Sequence, residues 1–153
     1  MAYAIRPDDP LRAEVAPLVE MHLAEMHRFS PACHVHAMPA SRLAESDISF
    51  FTIWDGDRLA GFGALREVEP SHGEIKSMRA ASAYRGKGAG RALLDHLIAE
   101  ARARGYSRLS LETGRTDDFR PAISLYERAG FSECEPFADY AANDFSMCMT
   151  LRL

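Results

Sequence analysis

The segment Tyr84-Arg85-Gly86-Lys87-Gly88-Ala89-Gly90-Arg91 sets three glycines at alternate positions among three cations. Glycine lets a main chain approach a ligand closely and turn its N–H groups inward. A helical apolar period follows at once, so the positive end of a helix adds to the charges of Arg85, Lys87 and Arg91. The chemistry open to such a turn is the holding of a phosphate or pyrophosphate by backbone donors. An ordinary Gly-rich strand-to-helix loop has the same composition, so spacing has to decide.

Two phosphate motifs fail on spacing. A Walker-type loop needs glycine at position 81, where Ala81 stands, and Ser or Thr after its lysine, where Gly88 stands. The dinucleotide fingerprint needs a third glycine where Arg91 follows Gly88, and it opens the first strand of its fold, whereas more than eighty residues precede this turn. Arg85, Gly88 and Gly90 satisfy Arg/Gln-x-x-Gly-x-Gly/Ala. That pattern resembles the acetyl-CoA pyrophosphate loop of the GNAT N-acetyltransferase superfamily.

The elements that must position this turn are legible from periodicity. Tyr3 to Arg6 predicts a first strand and Pro7 to Pro10 its turn. Leu11 to Met26 predicts a helix from the spacing of Val15, Leu18, Val19, Leu23 and Met26. A short helix is expected over Ser41–Ala44. Strands are expected at Ile48–Trp54 and Leu59–Glu67 around the hairpin signal Asp55-Gly56-Asp57, and at Glu74–Ala81. Gly61 and Gly63 suggest a close backbone contact. Ala89, Leu93, Leu97 and Ala101 form an i, i+4 row that predicts the central helix, stopped by Gly105. Strand Ser107–Thr113, helix Ala122–Ala129, a strand from Phe131 and a last strand Met147–Leu153 complete the chain.

The 153 residues, 47% hydrophobic and 26% charged, predict one globular domain over 1–153. Net charge −4 argues against nucleic acid as the partner and leaves a cationic amine open. No long apolar run suggests a signal peptide or a membrane span, and three scattered cysteines without CxxC suggest neither a disulfide framework nor zinc. A cytoplasmic protein is expected.

The resemblance extends over Glu74 to Leu153, with Leu125-Tyr126-Glu127-Arg128-Ala129-Gly130-Phe131 similar to the superfamily's "LYExxGF" segment. The text Gly73-Glu74-Ile75-Lys76-Ser77-Met78-Arg79 is similar to small bacterial GNAT proteins without an assigned substrate. The resemblance implies an α+β fold in α/β/α layers. It implies a mixed, mostly antiparallel sheet of six to seven strands, splayed between its two central parallel strands, and about four helices. It also implies acetyl-CoA as cosubstrate and direct transfer in a ternary complex to an amine, either a small molecule or a peptide or protein amine. A homodimer is compatible with it. Rival readings are an acyl-CoA-binding module without catalysis and an enzyme for a longer acyl-CoA.

Residue by residue, the resemblance places backbone groups of Met78, Arg79 and Ala80 along the pantetheine arm, with an N–H near Ala80 polarising the carbonyl. Amides from Arg85 through Gly86, Lys87, Gly88, Ala89 and Gly90, together with Arg91, take the pyrophosphate. Tyr126 faces the departing sulfur, or else packs on the sheet. Glu74 is the candidate base, or else a solvated strand-end carboxylate. An even spacing along the strand would put Glu74 on one face with Met78 and Ala80. Phe119 stands where many relatives carry a pantetheine-binding Asn, and Asp117 or Asp118 is expected to cap the following helix. His34 and His36 lie in a segment that often shapes the acceptor pocket in the superfamily. No third ligand accompanies them, so no metal is expected.

Overall fold

The computed structural model describes residues 2–31 and 38–153. Seven strands form one sheet in the order β1-β2-β3-β4-β5-β7-β6. In chain order they are β1 (Ala4–Pro7), β2 (Ile48–Asp55), β3 (Arg58–Glu69), β4 (His72–Ala80), β5 (Arg108–Gly114), β6 (Ser132–Cys134) and β7 (Ser146–Arg152). Every neighbouring pair is antiparallel except β4 and β5. The helices are α1 (Ala16–Phe29), α2 (Ala40–Leu43), α3 (Ala89–Ala103) and α4 (Arg120–Arg128). The expected layered α+β architecture is the one observed.

α3 and α4 cover one face of the sheet. Leu94, Leu97, Ile98 and Ala101 of α3 and Tyr126 of α4 share a core with Leu65, Ile75, Leu109 and Leu111. Leu93, Leu94 and Leu97 are fully buried, and each such side chain stabilises the fold by about 1.5–3 kcal/mol. Gly63 explains how close α3 lies: a Cβ there would meet Leu97 at 3.1 Å and Leu93 at 3.3 Å. α1 and α2 cover the other face, where Val15, Leu18, Val19 and Leu43 pack on Phe50, Phe62 and Ala64.

The first helix begins five residues later than the periodicity predicts. Pro17 occupies its first turn, and proline has no N–H to donate inside a helix, so residues 11–15 cannot extend it upstream. They form turns instead, held by Asp8, whose carboxylate accepts from Arg12 at 2.7 Å, Thr52 at 2.6 Å and the Asp9 amide at 2.8 Å. The expected aspartate cap of α4 is also absent: Asp117–Phe119 form a 3₁₀ turn, and no side chain caps the helix. Among the described residues no helix is long and apolar enough to cross a membrane.

Candidate active site

The parallel pair supplies the site. β4 and β5 are hydrogen-bonded only from His72–Arg108 to Glu74–Ser110, and beyond that point they part. Ile75–Ala80 on one side and Leu111–Gly114 on the other then wall a cleft of about 1080 Å³, closed by the glycine turn, α4 and the end of α1. One edge of β4 stays paired to β3. The other presents main-chain groups of Met78, Arg79 and Ala80 to the cleft without a strand partner among the described residues, and unpaired strand edges seek extended partners.

The glycine turn stands at the cleft's end. Gly86 and Gly88 adopt φ of +72° and +85°, a conformation that a β-branched residue adopts only under strain. α3 then starts at Ala89 with no side-chain cap and no acidic residue in its first turn, so its leading amides remain for a ligand. Arg85, Gly86, Gly88, Gly90 and Arg91 line the cleft. Two residues expected there do not present side chains to it. The Lys87 ammonium lies 5.9 Å from the Tyr84 ring centre while its carbonyl accepts from Tyr3, and Ala89 is buried in the core.

Glu74 is on the opposite face from Met78 and Ala80, contrary to the even-spacing argument. β4 carries one extra residue against β3 between the Leu65–Ile75 and Ala64–Ser77 pairs. This bulge brings both Ile75 and Met78, three positions apart, against the α3-side core. Glu74 therefore points the other way. It is 1% exposed and accepts a 2.5 Å hydrogen bond from the Tyr140 hydroxyl. Lys76 donates to that same hydroxyl at 2.7 Å and lies 3.5 Å from Glu74, with Arg66 at 3.9 Å. Tyr140 and Lys76 line the cleft, and Glu74 stands behind them. Burial first, and then the charge of Glu74, push the Tyr140 phenol well above its ordinary pKa.

Tyr126 reaches the cleft from α4, and its ring lies 5.9 Å from that of Phe131. No described group hydrogen-bonds its hydroxyl, and burial pushes its pKa up to about 12. Phe119 packs its ring on the backbone of Gly114 and edge-on to Phe145, where it too lines the cleft. His34 and His36 lie outside the described residues.

Sequence reasoning missed the wall facing α1. The Arg79 side chain, opposite in direction to Met78, is 8% exposed and ion-paired through Nη1 to Glu25. Glu25 also attracts Arg85 at 3.6 Å and Arg28 at 3.7 Å. Hydrogen bonding to Arg79 leads the effects that hold Glu25 below the usual carboxylate range. Burial, then the Arg79 charge, lower His22 to about 4. Tyr140, Glu25 and His22 belong to no local motif, and Tyr140 lies 66 residues from Glu74.

Comparison with known proteins agrees with this geometry. The family model described as "Acetyltransferase (GNAT) family" matches residues 16–131. An uncharacterized N-acetyltransferase of Bacillus subtilis (strain 168), YsnE, is 47% identical over 149 residues, covering 97% of this chain and 99% of that protein. YedL, an uncharacterized N-acetyltransferase of Escherichia coli (strain K12), is 38% identical, covering 99% and 95%. A crystal structure of a putative acyl-CoA N-acyltransferase from Klebsiella pneumoniae superposes with a TM-score of 0.78 at 28% identity, covering 99% and 97%. The fold is shared with YncA of Salmonella typhimurium, solved with its cofactor acetyl-CoA, at a TM-score of 0.73 and 20% identity, covering 99% and 94%. A cleft between parting parallel strands, an uncapped glycine turn and these likenesses agree: the chain belongs to the GNAT family of acetyltransferases.

Proposed function

We propose that this chain, acting as one domain, transfers the acetyl group of acetyl-CoA to a primary amine by direct attack within a ternary complex. One observation carries the reading: β4 and β5 part immediately before an uncapped helix whose approach holds two glycines at positive φ. A pantetheine arm can pair with the free edge of β4 as a strand would, while the amides of the turn take the pyrophosphate. The neighbour solved with acetyl-CoA supports the choice of cosubstrate.

The bound ammonium gives one proton through the Tyr140 hydroxyl to Glu74. Tyr140 passes its own proton to the carboxylate as it receives one, since its raised pKa keeps it from standing as phenolate. The neutral nitrogen attacks the thioester carbon, with a backbone N–H near Ala80 holding the oxyanion. The C–N bond forms, the C–S bond breaks, and the electron pair leaves on sulfur. Tyr126 donates to that sulfur. A phenol held at about 12 cannot simply protonate a thiolate of pKa near 8.5, because the transfer is uphill by about 5 kcal/mol. Its proton therefore moves as the nitrogen's second proton replaces it. The products are the amide, CoA thiol and one proton on Glu74.

A thiol-release assay with acetyl-CoA and longer acyl-CoAs over an amine library tests the reading. Amine-dependent release that is fastest with acetyl-CoA is expected. Tight cofactor binding without release from any amine would mark a non-catalytic module, and a faster longer donor would change the acyl group.

A further inference from the structure

We propose that the acceptor carries a carboxylate, held by the Arg79 fork beside Ser77. The proposal rests on the reading of this cleft as an acetyl-transfer site and adds the acceptor's chemical class. Arg79 engages Glu25 through Nη1 alone. Its Nε and Nη2, the two donors that together form a side-on fork, have no hydrogen-bond partner among the described residues, and neither has Ser77 Oγ. Both residues line the cleft and are more than nine-tenths buried. Two positions apart on β4, they lie about 7 Å from each other along the strand.

A buried guanidinium nitrogen without an acceptor loses its hydration and gains nothing in return. The surrounding charges do not supply one. Glu25 is shared among Arg79, Arg85 and Arg28, so these four side chains leave two positive charges unbalanced. His22, whose Nδ1 has no partner among the described residues either, is held neutral first by its burial and then by the Arg79 charge. An anion is therefore the complement, and a planar two-oxygen group fits Nε and Nη2 together.

Glu25 Oε2 meets both Arg79 and Arg85 of the turn, so the direction of Arg79 favours the acceptor for this anion and the acetyl-CoA affinity of Arg79→Met decides it. Arg79 projects from the face of β4 opposite Met78, the same face from which Glu74 meets Tyr140. On the acetyl-transfer reading the pyrophosphate has its own donors at the start of α3, in the amides from Gly88 to Gly90; the Arg85 and Lys87 amides already donate within the turn, to Ser82 and Tyr84. The fork thus stands on the wall that receives the amine, and the acceptor is a small amino acid or ω-amino acid.

The test is steady-state thiol release by the full-length protein with acetyl-CoA, preceded by calorimetry of acetyl-CoA binding. Acceptors are the proteinogenic amino acids and straight-chain ω-amino acids, each beside its carboxamide. For the best acceptor, kcat/KM for the acid should exceed that for the amide by about 10- to 100-fold, the range of charge-assisted hydrogen bonds. Arg79→Met should bring that ratio to about one while acetyl-CoA affinity holds. In the unaltered protein, 2-hydroxy acids should compete with the acceptor and not with acetyl-CoA, a readout that needs no variant to fold. Amides used as well as acids, or hydroxy acids without effect, would overturn the proposal. So would a loss of acetyl-CoA affinity in Arg79→Met, which would assign the fork to the cofactor. Absence of acetyl-CoA binding in the unaltered protein would instead remove the acetyl-transfer reading itself.

Discussion

The turn ahead of α3 and the wall formed by β4 with α1 line the same cleft but are built from different materials. The turn offers main-chain amides, and its specificity resides in backbone conformation: two glycines at positive φ and a helix start without a cap. The wall offers side chains drawn from α1, β4 and the segment before β7, buried or half-buried and hydrogen-bonded in pairs. A site made of backbone is fixed by a few adjacent residues and suits a ligand common to a whole family. A site made of distant side chains changes with single substitutions and suits whatever acceptor one enzyme uses.

The sharpest way to break this contrast is at Glu74. Glu74→Gln should lower kcat by about 10²–10⁴-fold while acetyl-CoA affinity in calorimetry stays as it was. Tyr140→Phe should cost a similar factor. The double variant should be little worse than either single one, because residues acting as one relay are not additive. A Tyr140→Phe enzyme with unaltered kcat would take the hydroxyl out of the proton path.

Next in size is the pH response of the α1 wall. His22 is held at about 4 by burial and the Arg79 charge, whereas a histidine in the unfolded chain titrates near 6.5. Between these values the unfolded chain binds the additional proton. The stability that His22 contributes as a neutral ring is thus intact above about pH 6.5 and lost as pH falls toward about 4, by up to about 3 kcal/mol. Urea unfolding midpoints measured across pH 4–7 should fall on acidification, and His22→Leu should flatten that slope. An equal slope in the variant would place the acid sensitivity elsewhere.

Smaller effects test the backbone side. A Cβ at Gly88 meets no atom within 4 Å, so the cost of Gly88→Val is expected chiefly from the positive φ, about 1–3 kcal/mol. Paid at the turn, that is about a 30-fold loss of acetyl-CoA affinity by calorimetry. Gly88→Asn, which tolerates that conformation, should recover most of it. Smallest is Tyr126→Phe, expected to lower kcat about tenfold with no change in cofactor affinity. Its hydroxyl has no described partner whose loss would unsettle the fold.

The same contrast explains what the sequence discloses. Arg85, Gly88 and Gly90 lie within six residues, and their spacing carries the turn, the helix start and the family together. The row Leu93, Leu97 and Ala101 likewise predicts its own burial, because a helix face is a local property. Glu74 shows where local reading stops. Its face depends on a bulge that exists only in the pairing of β4 with β3, and a one-residue slip reverses every side chain upstream of it. Pro17 was legible and decisive, yet the apolar period runs through it and hides the true start of α1. Tyr140, Glu25 and the unpaired fork of Arg79 are products of tertiary assembly and have no pattern along the chain.

The central claim is that main-chain donors ahead of α3 hold coenzyme A in the gap between β4 and β5. Its most direct test is a titration of acetyl-CoA into the purified protein by calorimetry, repeated with Gly88→Val. Saturable binding at one site per chain, weakened in the variant and restored in Gly88→Asn, is the predicted result. No heat with the unaltered protein, or equal affinity in Gly88→Val, would contradict it.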